Sequence, residues 1–231
     1  MGTLFVVATP IGNLEDITLR AVRILNTVPL VAAEDTRHTR TLFRAHAIHT
    51  PLASFHEFTS PARRGRLVQH LEEGDVALVT DAGMPGISDP GYPLIRDALS
   101  AGHDVVAVPG ASAVTTALVV SGLPLHSFCF IGFLPRTSSQ RKKVFQQHAE
   151  SDSTLVAFES PHRLLTALRD LVAALGPDRP LAVARELTKH FEDVFRGTAA
   201  QSVAHFEQHA PRGEFTLVIG SRSAPVPGGA A

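Results

Sequence analysis

Three short loops rich in Gly, Pro and small polar residues follow apolar runs in the first half of the chain. They are Ala8-Thr9-Pro10-Ile11-Gly12-Asn13, the eleven residues from Asp81 to Gly91, and Pro109-Gly110-Ala111-Ser112-Ala113. Glycine lets backbone amides approach a ligand closely, and proline sets the loop shape in advance. Taken singly, each loop would serve as a connecting turn. Three of them at the carboxyl ends of successive strands point to a ligand site, because helix N-termini and loop amides converge on that edge of an open α/β sheet. The chain has neither the Gly-Lys-Ser/Thr phosphate loop nor a Gly-x-Gly-x-x-Gly after its first strand, and the three loops carry no Lys or Arg to balance a triphosphate. Backbone donors with nearby carboxylates suit a small ligand bearing amine, hydroxyl and adenine groups, so a nucleoside-type cofactor.

Four further junctions carry charge. Glu34-Asp35-Thr36-Arg37-His38 follows a strand, with Asp35 or Thr36 in place to cap the next helix. Phe158-Glu159-Ser160-Pro161-His162-Arg163 reads as another junction, with Ser160 as N-cap, Pro161 at the first helical position and Glu159–Arg163 spaced as an i,i+4 ion pair. Arg185-Glu186-Leu187-Thr188-Lys189 ends a later strand, and Gly213-Glu214 opens the last one. Arg63, Arg64 and Arg66, and the stretch Arg136 to Lys143, are candidates for nucleic acid, although a charge run is more often a solvated face. The 12 histidines do not fall into a metal pattern: His205 and His209 share a helix face, but Glu207 is not where a zincin carries its base. No metal is expected. There is no Gly-x-Ser-x-Gly nucleophile elbow.

These residues are set on 231 positions that are 44% hydrophobic and 19% charged, enough for a sizeable core. Lys+Arg 21 against Asp+Glu 22 excludes a polybasic protein held to nucleic acid by bulk charge alone. Cys129 is the single cysteine, which excludes an intrachain disulfide and indicates a reduced, cytoplasmic setting. No signal peptide is expected at the start of the chain. Val105 to Leu125 is free of charge and long enough to span a bilayer, but Pro109-Gly110, Gly122 and Pro124 break it, so no membrane span is expected. Apolar runs at Thr3–Ala8, Leu30–Ala33, Pro51–Phe55, Val76–Thr80 and Val105–Val108 alternate with helical patterns, the first of them capped by Asp16. The reading is an α/β fold with a mostly parallel N-terminal sheet over residues 1–115. Strands at Phe128–Leu134, Thr154–Phe158, Leu181–Ala184, Phe191–Phe195 and Phe215–Ile219, with few helices between them, predict a mixed sheet in a second domain over 116–222. Residues 223–231 read as a disordered tail.

In this order, Ala-Thr-Pro-Ile-Gly-Asn-Leu-Glu-Asp-Ile-Thr, Ala-Glu-Asp-Thr-Arg-His-Thr, Asp-Ala-Gly-Met-Pro-Gly-Ile-Ser-Asp-Pro-Gly, Pro-Gly-Ala-Ser-Ala and Arg-Glu-Leu-Thr-Lys resemble the methyltransferase I family of bacterial small-subunit ribosomal RNA ribose 2′-O-methyltransferases, within the tetrapyrrole-methylase superfamily. The resemblance implies an S-adenosylmethionine-dependent enzyme, usually a homodimer, with the cofactor in a cleft between two α/β domains. Its implied activity is methylation of a cytidine ribose 2′-hydroxyl in the decoding region of 16S rRNA, with the small ribosomal subunit as partner. Carried over by motif, Pro10, Ala82, Gly83, Met84, Ile87, Ser112 and Ala113 would hold the cofactor, joined by Phe158, Glu159 and Leu187 from the second domain. Met84 stands where the superfamily usually has an acidic residue. Glu34, Asp35, Arg37 and His38 are expected on one wall of the substrate cleft, and Glu186 and Lys189 on the other. A small C-terminal helical domain, common in the family, is expected to be absent. Two rival readings are a tetrapyrrole-type small-molecule methylase and a non-enzymatic ribosome-associated RNA-binding protein.

Overall fold

In the run Leu4-Phe5-Val6-Val7, alternate side chains enter two separate apolar clusters. Leu4 and Val6 pack with Val76 and Leu78, whereas Val7 packs with Ala77 and Val79. Such period-two sorting on strands that are apolar throughout demands a sheet covered on both faces. The computed structural model describes residues 2–228 and shows that sheet. Strands β1 (Thr3–Val7), β2 (Leu30–Ala33), β3 (Leu52–Ser54), β4 (Val76–Val79) and β5 (Asp104–Val108) are all parallel, in the order β3-β2-β4-β1-β5. Helices α1 (Leu19–Thr27) and α2 (Thr36–Ala45) supply Ala21, Ile24, Leu25 and Phe43 to one face. Helices α3 (Pro61–Glu73) and α4 (Tyr92–Ser100) supply Leu67, Leu71, Leu94 and Ala98 to the other.

The chain therefore leaves β1 toward one face and β4 toward the other, although the two strands are neighbours. A crevice opens between such strands at their carboxyl ends, the topological switch point at which ligands bind in open α/β sheets.

A second compact unit begins at Ala113. Its sheet runs β6 (Phe128–Phe133), β7 (Thr154–Glu159), β10 (Phe215–Ile219), β8 (Pro180–Arg185), β9 (Asp193–Thr198). Only the β6–β7 pair is parallel, so the sheet is mixed as expected. One face packs on Phe145, Leu164, Leu168, Leu171 and Phe206 from α6 (Ser138–Gln147), α7 (Pro161–Leu175) and α8 (Ala199–Gln208). The helix α5 (Ala113–Ser121) lies against β7, β8, β9 and β10. The charge-free stretch 105–125 thus becomes a strand, a loop and a nine-residue helix. Among the described residues no helix is long and apolar enough to cross a membrane.

Several sequence expectations change. Asp16 does not cap α1: it lies in a 3₁₀ turn, and the hydroxyl of Thr18 accepts from Ala21 N instead. The second unit is richer in helix than its pattern suggested, because α6 buries an arginine where an apolar residue is normally sought. Strand β9 starts at Asp193, two residues later than the apolar run predicts, since Phe191 is exposed in a turn. Of the expected tail, Ala224 N donates to Ser221 O and Pro227 is buried, while residues 229–231 lie outside those described.

Helix α8 opens with a reciprocal cap, in which the Thr198 hydroxyl accepts from Gln201 N and the Gln201 amide oxygen accepts from Thr198 N. Replacing Thr198 by alanine is expected to cost about 1 kcal/mol in urea unfolding.

Candidate functional site

Register decides which residues meet at the carboxyl edge of the first sheet. Ala33 pairs with Val79, so Glu34 and Asp35 emerge beside Thr80 and Asp81. Asp81 N donates to Glu34 Oε2 at 3.4 Å, and Asp35 N donates to Asp81 Oδ1 at 3.2 Å. Burial raises the Glu34 carboxyl above its ordinary 4.5; Asp81 N opposes this, while the charges of Asp81, Asp35 and Glu57 add to it. Asp35 behaves differently. It caps α2 through Arg37 N and pairs with the Arg37 guanidinium at 2.8 Å, and these bonds hold its carboxyl well below the usual carboxylate range. Arg37 and His38 are exposed.

The three Gly/Pro loops do converge. Thr9 and Gly83 exchange backbone hydrogen bonds at 2.9 and 3.1 Å across the β1–β4 crevice, and the Thr9 hydroxyl donates to Thr80 O at 3.0 Å. Gly83 has φ +75°, and a Cβ there would touch Ile11 from the first loop and Ala111 O from the third. At Gly110 a Cβ would come within 3.0 Å of the Ala8 methyl, so a larger residue would push the first and third loops apart. Pro10 and Gly83 are buried, Ala82, Met84 and Ser112 are half-buried, and Ile87 is exposed. Met84 also packs against the core beneath it. The buried hydroxyl of Thr80 has no hydrogen-bond partner among the described residues. Beside these loops a hollow of about 290 Å³ is lined by Phe55, His56, Glu57, Arg64, Asp89 and Tyr92 among others.

The second unit gathers its candidates at one end of its sheet. Phe215 pairs with Glu159 on one side and with Arg185 on the other, which brings Glu159, Glu186 and Glu214 to the same end. Lys189 Nζ lies 2.9 Å from Glu186 Oε1 and 3.0 Å from Glu214 Oε2. Burial works against its charge, but the two carboxylates outweigh burial and raise the ammonium above its ordinary 10.5. Lys189 is thus a fixed cation and not a base at neutral pH. Glu186 and Thr188 have φ of +49° and +66°, a left-handed conformation that non-glycine residues seldom adopt and that clusters at functional turns. The Glu159 side chain is fully buried: Oε1 accepts from Ser160 N and pairs with Arg163, both at 2.7 Å, while Oε2 has no partner among the described residues. Phe158 is half-buried and Leu187 buried. Ala113, at the start of α5, is half-buried.

A family model of the tetrapyrrole (corrin/porphyrin) methylases matches residues 3–202, which takes in the three Gly/Pro loops and the turn of Lys189. The chain belongs to the tetrapyrrole methylases. Among its relatives in that family is a ribosomal RNA small subunit methyltransferase I of Halalkalibacterium halodurans, 48% identical over 94% of this chain and 75% of the relative. The ribosomal RNA small subunit methyltransferase I of Thermotoga maritima is 46% identical over 96% of this chain and 100% of its own length. Solved structures share the methylase fold at lower identity. The methyltransferase CobJ superposes with a TM-score of 0.72 at 18% identity, covering 98% of this chain and 100% of its own. A uroporphyrin-III C-methyltransferase of Thermus thermophilus, complexed with S-adenyl homocysteine, gives 0.64 at 21% identity over 95% and 97%.

Two groups of the candidate site carry no signal of their own in the sequence. In the sequence Asp81 is one residue of the long loop and Glu214 one residue of an entry turn. Both are found by register: each is opposite an already suspected residue on a neighbouring strand.

Proposed function

We propose that this chain is an S-adenosylmethionine-dependent methyltransferase acting on a cytidine ribose 2′-hydroxyl in the decoding region of 16S rRNA, within the small ribosomal subunit, as a cytoplasmic homodimer. The observation that carries the reading is 43–48% identity, over nearly the whole chain, to relatives named ribosomal RNA small subunit methyltransferase I. The residues present fit the methyl donor. The Thr80 hydroxyl, buried without a partner among the described residues beside the three loops, is a polar atom suited to a ligand with amine, hydroxyl and adenine groups. Pro10, Ala82, Met84 and Ser112 of the first domain would hold the cofactor.

When bound, S-adenosylmethionine supplies a methyl group on a positively charged sulfur, which needs no further activation of the leaving group. The protein's task is then to align the ribose oxygen and accept its proton. Of the two carboxylates at the end of β2, Glu34 suits proton acceptance, since burial raises its affinity for a proton while Asp35 is committed to capping α2 and to Arg37. Lys189, held cationic by Glu186 and Glu214, suits the phosphate next to the target ribose.

Purified protein incubated with isotopically labelled methyl donor and 30S subunits lacking the modification is expected to label a single cytidine ribose, located by nuclease digestion and mass spectrometry. Label on a base, or transfer only to a precorrin offered in parallel, would reject the reading.

A further inference from the structure

The short segment from Phe133 to Thr137 is gripped by two ion pairs. Arg163 Nη1 donates to Leu134 O at 3.4 Å, and Arg141 Nη1 donates to Pro135 O and Arg136 O at 3.0 and 2.9 Å. Three consecutive carbonyls are therefore held by two guanidinium groups. Each guanidinium is neutralised from below: Arg163 by the buried Glu159, and Arg141 by Asp170 at 2.7 Å, with these two side chains only 3% and 8% exposed. Ser138 adds a 2.6 Å bond to the other oxygen of Asp170, which Lys142 also approaches at 3.6 Å.

A buried ion pair adds little net stability over apolar residues of similar volume. What it does supply is position. Leu134 of this anchored segment enters the core, but two of its side chains face water: Phe133 is 55% exposed, with its ring leaning edge-on against Phe158 at 5.5 Å, and Arg136 is exposed with no ion-pair partner among the described residues. Lys143 is exposed on the helix that follows. From Val105 to Ala149 the sequence contains no Asp or Glu, so no acidic side chain on that stretch offsets these cations.

An aromatic face three residues from a guanidinium with no ion-pair partner among the described residues, both carried on an anchored backbone, matches the needs of a flexible polyanion with stackable rings. We infer that Phe133 and Arg136 form a contact site for an unpaired RNA strand, with Phe133 stacking on a base and Arg136 bound to a phosphate. The inference rests on the proposed rRNA substrate and names where, on the second domain, the strand is held. Glu159 and Asp170 act through the two arginines and are positioning residues.

The test is the affinity of the full-length protein for 30S subunits lacking the modification, by filter binding, with calorimetry for S-adenosylmethionine and light scattering for subunit mass. Phe133→Ala and Arg136→Ala are each expected to raise the Kd for subunits about tenfold. Arg136→Ala is also expected to lower the slope of log Kd against log salt by roughly 0.7, the value for one phosphate on a single strand, while Arg136→Lys keeps that slope. Cofactor affinity and subunit mass stay unchanged in every variant. Wild-type binding with no loss in either alanine variant would overturn the contact site alone. Loss of cofactor affinity, or a fall in mass from dimer to monomer, would reassign the segment to the cofactor pocket or to a subunit interface. A wild-type protein that neither binds nor methylates subunits would overturn the substrate reading, and the contact site with it.

Discussion

Glu34→Gln is expected to slow methyl transfer to 30S subunits by roughly 10²–10⁴-fold, the range lost when a positioned proton acceptor is removed. Glutamine keeps the shape of the side chain and can still accept from Asp81 N through its amide oxygen, so the loss isolates proton acceptance. The pH profile supplies the second readout. Burial shifts the Glu34 carboxyl above 4.5, so the wild-type rate should climb with pH through a value higher than that and then level as the carboxylate ionises. In Glu34→Gln the climb disappears. Asp35→Ala gives the contrast: its carboxylate is already ionised far below neutrality, and its removal costs the α2 cap, about 1 kcal/mol, and leaves the acid limb in place. If Glu34→Gln turns over within twofold of wild type with the same profile, the proton goes elsewhere.

Asp170→Ala is expected to lower folding stability by about 3–5 kcal/mol, because Arg141 would keep its burial and lose its counter-charge. Pairing the change with Arg141→Met should recover much of the loss, though not all. The carbonyls of Pro135 and Arg136 would still lack the donor that Arg141 provides. The pH dependence has a definite sign. Burial disfavours the Asp170 carboxylate, but the bonds from Ser138 and Arg141, with the charges of Arg141 and Lys142, outweigh it and hold the carboxyl below its ordinary 3.8. A lowered carboxyl contributes stability that is full above 3.8 and is lost as pH falls through the folded value. Urea midpoints for wild type and Asp170→Ala should therefore stay apart at neutral pH and draw together below about pH 4. A constant gap down to pH 2 would mean that the aspartate acts through packing and not through charge.

Much of this architecture was legible before any coordinates. Uninterrupted apolar runs such as Val76–Val79 require burial on both faces, and their alternation with helical periods leaves a parallel α/β sheet as the arrangement for the first half. Loop composition marked the ligand edge for a similar reason: Gly83 is needed for its φ of +75° and Gly110 where the Ala8 methyl leaves only 3.0 Å for a Cβ, and that need is written in residue type. The cap of α2 by Asp35 and the Glu159–Arg163 pair are also local, set by spacings of a few residues.

Long-range pairing was not legible. Asp81 reaches Asp35 and Glu34 only because β2 and β4 are neighbours, a strand order that no local spacing encodes. Lys189 finds Glu214 because β10 runs antiparallel to β8, 25 positions away in the chain. The run Arg136–Lys143 had every mark of a solvated face, yet Arg141 turns inward, since Asp170 on α7 offers a buried counter-charge that cancels the penalty of burying a guanidinium. Residue types and short spacings thus determined the elements, the loops and their caps. Which charges face each other, and so which carboxylate stays ionised and which is raised toward a proton, was decided only by the tertiary fold, because electrostatic pairing depends on distance through space and on burial, not on distance along the chain.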